Sequence, residues 1–320
     1  MAGPGFFAAP RAWPSAILAI AVLSSSCTGR SAYTAPVTKF RDASAVVIES
    51  TKAYLVALNK TERDHYIDDQ VAGGAPIQLI KIEEVQVFGP QAIAARMDAL
   101  DRLADYTELL YRLATSDASE SIKGKAASLG TALTNLSGRV NGLTGADDAG
   151  FKRAVSSVFP VVAEVLQAIV ERRLEEGLRK AATTGAAPVN TLIEAIKTDA
   201  ELAYERKRNA LSKRRADAAL AYNTVATKGG RVETATLRRL ADVVSKTEDQ
   251  WEAFQTARPA SGLDAMQRAN LALEKLARTP HPQIADFASF AAAVEAFAAA
   301  ADRVGQAVRQ LTDLQDRNRP

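Results

Sequence analysis

Ser121–Leu143, SIKGKAASLGTALTNLSGRVNGL, carries apolar residues at Ile122, Ala126, Leu129, Leu133, Leu136, Val140 and Leu143. The intervals alternate four and three through three heptads, the spacing that keeps one stripe of a helix facing a partner helix. Gly124, Gly130, Gly138 and Gly142 interrupt it. Each glycine weakens a helix by about 1 kcal/mol relative to alanine, so packing must hold this helix together. The stretch therefore predicts a helix buried along one stripe in an all-α bundle.

The same reading extends in both directions. Phe40, Val47, Tyr54 and Leu58 predict a helix from Lys39 to about Asp69. Ile93, Met97, Leu100, Ala104 and Leu110 predict another from Gln91 to about Thr115, opened by Pro90. Asp147 and Asp148 can cap a helix from Ala149 to about Ala182, with Phe151, Val155, Val158, Val162, Val165 and Ile169 on its apolar face and a kink at Pro160. Val189 to about Thr227 contains neither proline nor glycine and predicts one long helix. Gly229-Gly230 turns the chain into a helix carrying Leu237, Leu240, Val244, Thr247, Trp251 and Phe254. Ser261 and Asp264 form a capping-box pattern before a shorter helix with Leu263, Met266, Leu273 and Leu276. Thr279-Pro280-His281-Pro282 ends it, and Phe287, Phe290, Val294, Phe297, Ala301, Val304, Val308, Leu311 and Leu314 mark a last helix over about 284–316.

The expected fold is an elongated antiparallel helical bundle of about eight helices, built as one bundle or as two. Residues 71–90 are the ambiguous segment. Gly73-Gly74-Ala75-Pro76 breaks a helix, and Ile77–Ile82 with Val85–Phe88 read as an irregular loop or a short β-hairpin. Thr183–Pro188 reads as a midpoint break between an N-terminal helical region, 38–182, and a C-terminal one, 189–318.

The N-terminus has a different character. Arg11 precedes an apolar run, Ala16–Leu23, which is too short to span a bilayer, and three serines lead to Cys27, the only cysteine in the chain. A basic residue, a short apolar core and small residues describe a secretory signal. The serines followed by Cys27 resemble the lipobox of bacterial lipoprotein precursors. Over residues 1–27 that resemblance implies a signal peptide at 1–26, removed before an acylated Cys27, and a lipidated tether at 27–37. Two or three acyl chains would hold the protein durably, at about 0.8 kcal/mol per buried methylene. Thr28 in place of aspartate implies the outer membrane, facing the periplasm.

Removing 1–26 leaves 39 basic residues against 37 acidic, a net charge of +2, which supplies no global field for nucleic acid. With a single cysteine the chain forms no internal disulfide. No HExxH, GxSxG or phosphate-loop element is present, and no cofactor or metal is expected. Two polar clusters stand out. Asp64, His65, Asp68 and Asp69 put a histidine three and four residues from carboxylates on one helix face, a spacing compatible with acid–base work or with a charged helix end. Arg206, Lys207, Arg208, Lys213, Arg214 and Arg215 set six cations within ten residues, a contact surface for anionic headgroups, peptidoglycan carboxylates or an acidic protein, or else a solvated face.

The expectation is a membrane-anchored envelope lipoprotein without enzymatic activity. Its helical, coiled-coil-like body acts as a scaffold for an envelope protein or peptidoglycan, and membrane lipid is engaged through Cys27. The alternatives are a periplasmic envelope enzyme acting near His65 and Asp68, and a carrier of an apolar ligand.

Overall fold

The computed structural model describes residues 31–116, 119–143, 148–157, 174–228 and 233–317, all helix, turn or irregular chain. Among them are eight helices of ten residues or more and one short one. They are α1 (Ser31–Gly73), the short α2 (Leu79–Val85), α3 (Pro90–Thr115), α4 (Ser119–Asn141), α5 (Asp148–Ser157), α6 (Leu174–Thr227), α7 (Thr234–Thr256), α8 (Pro259–Arg278) and α9 (Ile284–Arg317). The expected signal peptide at 1–26, Cys27, the expected kink at Pro160 and the expected turn at Gly229-Gly230 lie outside the described residues.

The α4 stripe is core: Ile122, Ala126, Leu129, Leu133, Leu136, Val140 and Leu143 are all buried. A fully buried leucine contributes about 1.5–3 kcal/mol, which outweighs what the glycines cost. Helices from both halves of the sequence share a single core. Phe40 meets Phe297 at 5.6 Å, and Arg96 of α3 bonds Asp199 of α6 at 2.7 Å.

The α1 and α3 helices run antiparallel, at Thr34–Ala114 and Lys52–Asp101. The first and last helices do not. Tyr33 meets Phe287, Lys39 pairs with Glu295 and Thr61 accepts from Gln315, so α1 and α9 are parallel. The bundle thus mixes directions: α1 and α9 are parallel, and α7 and α8 follow one another along α6, at Arg215–Glu248 and Lys197–Asp264. By length and composition α9 could cross a membrane. Its stripe Phe290, Val294, Phe297, Ala301, Val304, Val308 and Leu311 is nevertheless buried against the bundle. Close approach beside it rests on Gly262, where an added Cβ would lie 3.0 Å from Val47 and 3.3 Å from Val304.

A buried ionic knot fastens α3, α5 and α6. The Arg96 guanidinium is fully buried, donates to Asp199 Oδ2 at 2.7 Å and lies 3.0 Å from Asp148 Oδ1. Its Nη2 has no acceptor along an N–H direction, so the Asp148 contact is Coulombic and not a directed hydrogen bond. The rings of Phe88 and Phe151 sit 4.0 and 4.9 Å from the same guanidinium.

Four expectations are corrected. The hairpin at 71–90 does not form: Leu79–Val85 is helix, and the inward backbone of Phe88 is satisfied by a side chain. Asn59 donates to Phe88 O at 2.7 Å and accepts from Phe88 N at 3.1 Å, leaving no role for a ladder partner. The break at Thr183–Pro188 is absent. The α6 helix runs 54 residues through Pro188, because Ala186, Val189 and Leu192 on its buried stripe outweigh one lost backbone bond. The tether ends early, since α1 starts at Ser31 with Pro36 inside it and with Tyr33 and Val37 buried. Ser261 is no N-cap: α8 begins at Pro259, and the Ser261 hydroxyl donates to Arg258 O.

Candidate interaction surface at the far end

The helix α1 has 43 residues and is about 65 Å long at 1.5 Å per residue, so its two ends define opposite ends of the molecule. The far end, past Tyr54, gathers both polar clusters noted in the sequence, and they face each other. Arg214 donates to Asp68 at 2.8 Å, and Lys207 Nζ lies 3.5 Å from Glu62. The two clusters are therefore two sides of one electrostatic seam between α1 and α6.

The other members are also occupied. Arg63 binds Asp64 at 2.7 Å, and His65 Nε2 sits 3.6 Å from Asp69. Arg208 pairs with Glu205 and Lys213 with Asp217, while Arg206 donates to Val87 O. Arg215 grips Glu248 with two bonds of 2.8 and 2.7 Å and lies over the Trp251 ring. That grip holds the Glu248 carboxyl below its usual range. Among the described residues no group of three His, Cys, Asp or Glu side chains is arranged to hold a metal ion.

Lys207 is the exception to a solvated run. Successive helical residues rotate by about 100°, so the middle of Arg206-Lys207-Arg208 points inward and is 2% exposed. Burial lowers its pKa to about 8, against the attraction of Glu62 and with help from Arg214. Nearby, the Tyr54 hydroxyl and His65 Nδ1 are buried without a hydrogen-bond partner, and burial pushes the Tyr54 phenol up.

Beyond this seam the surface changes. From residue 212 to 228 on α6, and from 233 to 252 on α7, no described residue is buried. Leu237, Leu240, Val244, Thr247 and Trp251 on α7 are half-buried against α6, and α7 also meets α9 at its root; past that root the two helices project from the bundle as a hairpin. Its root is an aromatic clamp: Tyr204 stacks on Phe254 at 4.7 Å, Trp251 tilts against Phe254, and Arg258 covers Tyr204.

Beside the root, α1 ends in a Schellman cap. Gly74 takes φ 61°, with Ala75 N bonding Gln70 O at 2.9 Å and Gly74 N bonding Val71 O at 3.3 Å. The chain then presents α2, no residue of which is buried. Ten large hydrophobic residues are exposed among the described residues. Five of them (Val71, Ile77, Leu79, Ile80 and Val85) lie here, and Leu220 and Val243 lie on the hairpin. Isolated exposed apolar residues are ordinary, but a contiguous group marks an interaction site. A shallow groove of about 460 Å³ at the same end is lined by Asp249, Glu252, Thr256, Gln310 and Asp313.

No protein-family model, curated protein or solved structure matches the chain.

Proposed function

We propose that the protein is a lipid-anchored scaffold of the bacterial cell envelope that acts by contact, through the end of its body farthest from its N-terminus. The observation that carries this reading is the segregation of sticky surface: seven of the ten exposed large hydrophobic residues lie on α2, its flanks and the hairpin. The helix α1 starts four residues after Cys27 and runs as one piece to Gly73, so an anchor at Cys27 would hold α2 about 60 Å from the lipid. Rigid helices make such a spacer, because their length is fixed by packing and not by chain entropy. The outer membrane, facing the periplasm, is the location the lipobox resemblance favours.

The experiment is metabolic labelling with radioactive palmitate, followed by fractionation of the envelope. Label on the wild type and none on Cys27→Ser, with the variant released from the membrane, is expected. A variant that stays equally labelled and membrane-bound overturns the anchor.

A further inference from the structure

We infer that the far end is a self-association surface, on which the basic hairpin of one copy seats against the acidic, apolar end of a second copy. This inference does not need the anchor. The first observation is charge. Residues 63–86 carry five carboxylates (Asp64, Asp68, Asp69, Glu83, Glu84) against Arg63 and Lys81, a net −3, with Asp64 held by Arg63 and Asp68 partly offset by Arg214 of its own chain. The described residues of the outer hairpin, 218–228 and 233–246, carry four cations (Lys228, Arg238, Arg239, Lys246) against Glu233 and Asp242, a net +2. Both surfaces hold exposed apolar side chains within the charge: Leu79 and Ile80 on one, Leu220 and Val243 on the other.

Geometry is the second observation. Lys207 lies level with Glu62, and Arg215 pairs with Glu248, which puts Arg238 and Arg239 level with residues 224–225 of α6. They stand about 25 Å past Glu62, and the α6 terminus about 30 Å past it. The start of α2 lies near Tyr66, whose hydroxyl accepts from Gln78 N, about 6 Å past Glu62. When two copies overlap antiparallel along their hairpins, the α6 terminus of each, with Arg238 and Arg239 beside it, arrives at the α2 level of the other. Two hairpins side by side form a four-helix bundle, and the contact is isologous: hairpin on α2, twice.

Area is the third. One α2 patch offers five side chains, short of the roughly 800 Å² per partner that a stable interface buries. Two reciprocal contacts with paired hairpins between them supply the remainder. Each exposed surface is then covered by its complement on the second copy.

The test uses the full chain, purified in mild detergent, by sedimentation equilibrium and small-angle scattering, with circular dichroism confirming the helix content of each variant. A dimer is expected, with a maximum dimension near 130 Å where a single copy spans about 80 Å. R238E/R239E should weaken it at least tenfold, and L79E/I80E likewise; all four positions are exposed, so folding is preserved. E83R/E84R added to R238E/R239E should restore association, since the charges are exchanged and the complementarity kept. A wild type that stays monomeric at about 100 µM overturns the inference. So does a dimer indifferent to R238E/R239E and to L79E/I80E, or a dimer weakened by R238E/R239E that E83R/E84R does not rescue.

Discussion

Lys207→Met should stabilise the protein at neutral pH and flatten its response to alkali. The side chain is 2% exposed, and its pKa falls from 10.5 to about 8 because burial disfavours the cation. That fall is equivalent to about 3 kcal/mol of penalty, fully present below pH 8, where folded and unfolded chains both hold the proton. Between about pH 8 and 10.5 the unfolded chain binds more protons than the folded one, so stability rises with pH and the penalty fades. From pH 7 to pH 9.5 the lysine should return about 2 kcal/mol to the wild type and nothing to the methionine variant. Glu62 loses a partner in the variant, but at 18% side-chain exposure and a 3.5 Å separation that loss is about 1 kcal/mol, leaving a net gain of about 2 at pH 7. Urea unfolding followed by circular dichroism at pH 7, 8.5 and 9.5 measures the difference between the two proteins, and the buried tyrosines cancel in it. A difference that does not shrink as pH rises would refute a buried, deprotonation-prone Lys207.

Other expectations follow from single contacts. Arg96→Leu removes the buried cation that Asp148 and Asp199 both face and should cost about 3–5 kcal/mol in denaturant unfolding. Restoration of most of that loss by adding Asp148→Asn and Asp199→Asn would confirm charge, and not shape, as the cause. Gly262→Val forces carbon into a space where a Cβ already lies 3.0 Å from Val47, and should cost about 1–3 kcal/mol by the same assay. Pro188→Ala should stabilise by about 1–3 kcal/mol, because a continuous helix regains one backbone bond; no gain, or a loss, would mean a true break there. Replacing residues 218–246 by a short turn should leave the melting temperature of the body within a few degrees, since none of its described residues is buried in the bundle.

How much of this could be read beforehand depends on which partner buries a stripe. The four-three pattern of Ile122–Leu143 requires a facing helix, and α3 and α5 provide it, so sequence and structure agree there. The stripe of Leu237, Leu240, Val244 and Trp251 follows the same rule, yet only α6 and, at its root, α9 cover it, and none of these residues is buried. Periodicity reports that a face is covered, not how many layers cover it. Pro188 misled because proline removes one backbone bond locally, while the burial of Ala186, Val189 and Leu192 is spread along the helix. Residues 77–88 misled because their apolar density suggested strands. Instead Asn59 takes the inward backbone of Phe88, and the apolar side chains of Ile77, Leu79 and Ile80 stay outside.

The cation run 206–215 illustrates the same limit for sites. Six positive charges in sequence became one buried lysine, two pairs with acids far away in the chain, Asp68 and Glu248, and two with acids one turn away, Glu205 and Asp217, while Arg206 reaches Val87 O. The cations that reach solvent on the hairpin, Arg238 and Arg239, are fewer and less conspicuous in sequence. Only the projection of α6 and α7 past the bundle singles them out.

A photoreactive side chain placed at Leu79, at Arg239 or at Ile284 in living cells tests the central claim most directly. Ile284 is 69% exposed but lies at the opposite end, beside the start of α1. Irradiation should yield discrete protein adducts from positions 79 and 239, a second copy of the chain among them, and none from position 284. Adducts confined to position 284, or bare lipid captured at position 79, would contradict a body that works through its far end.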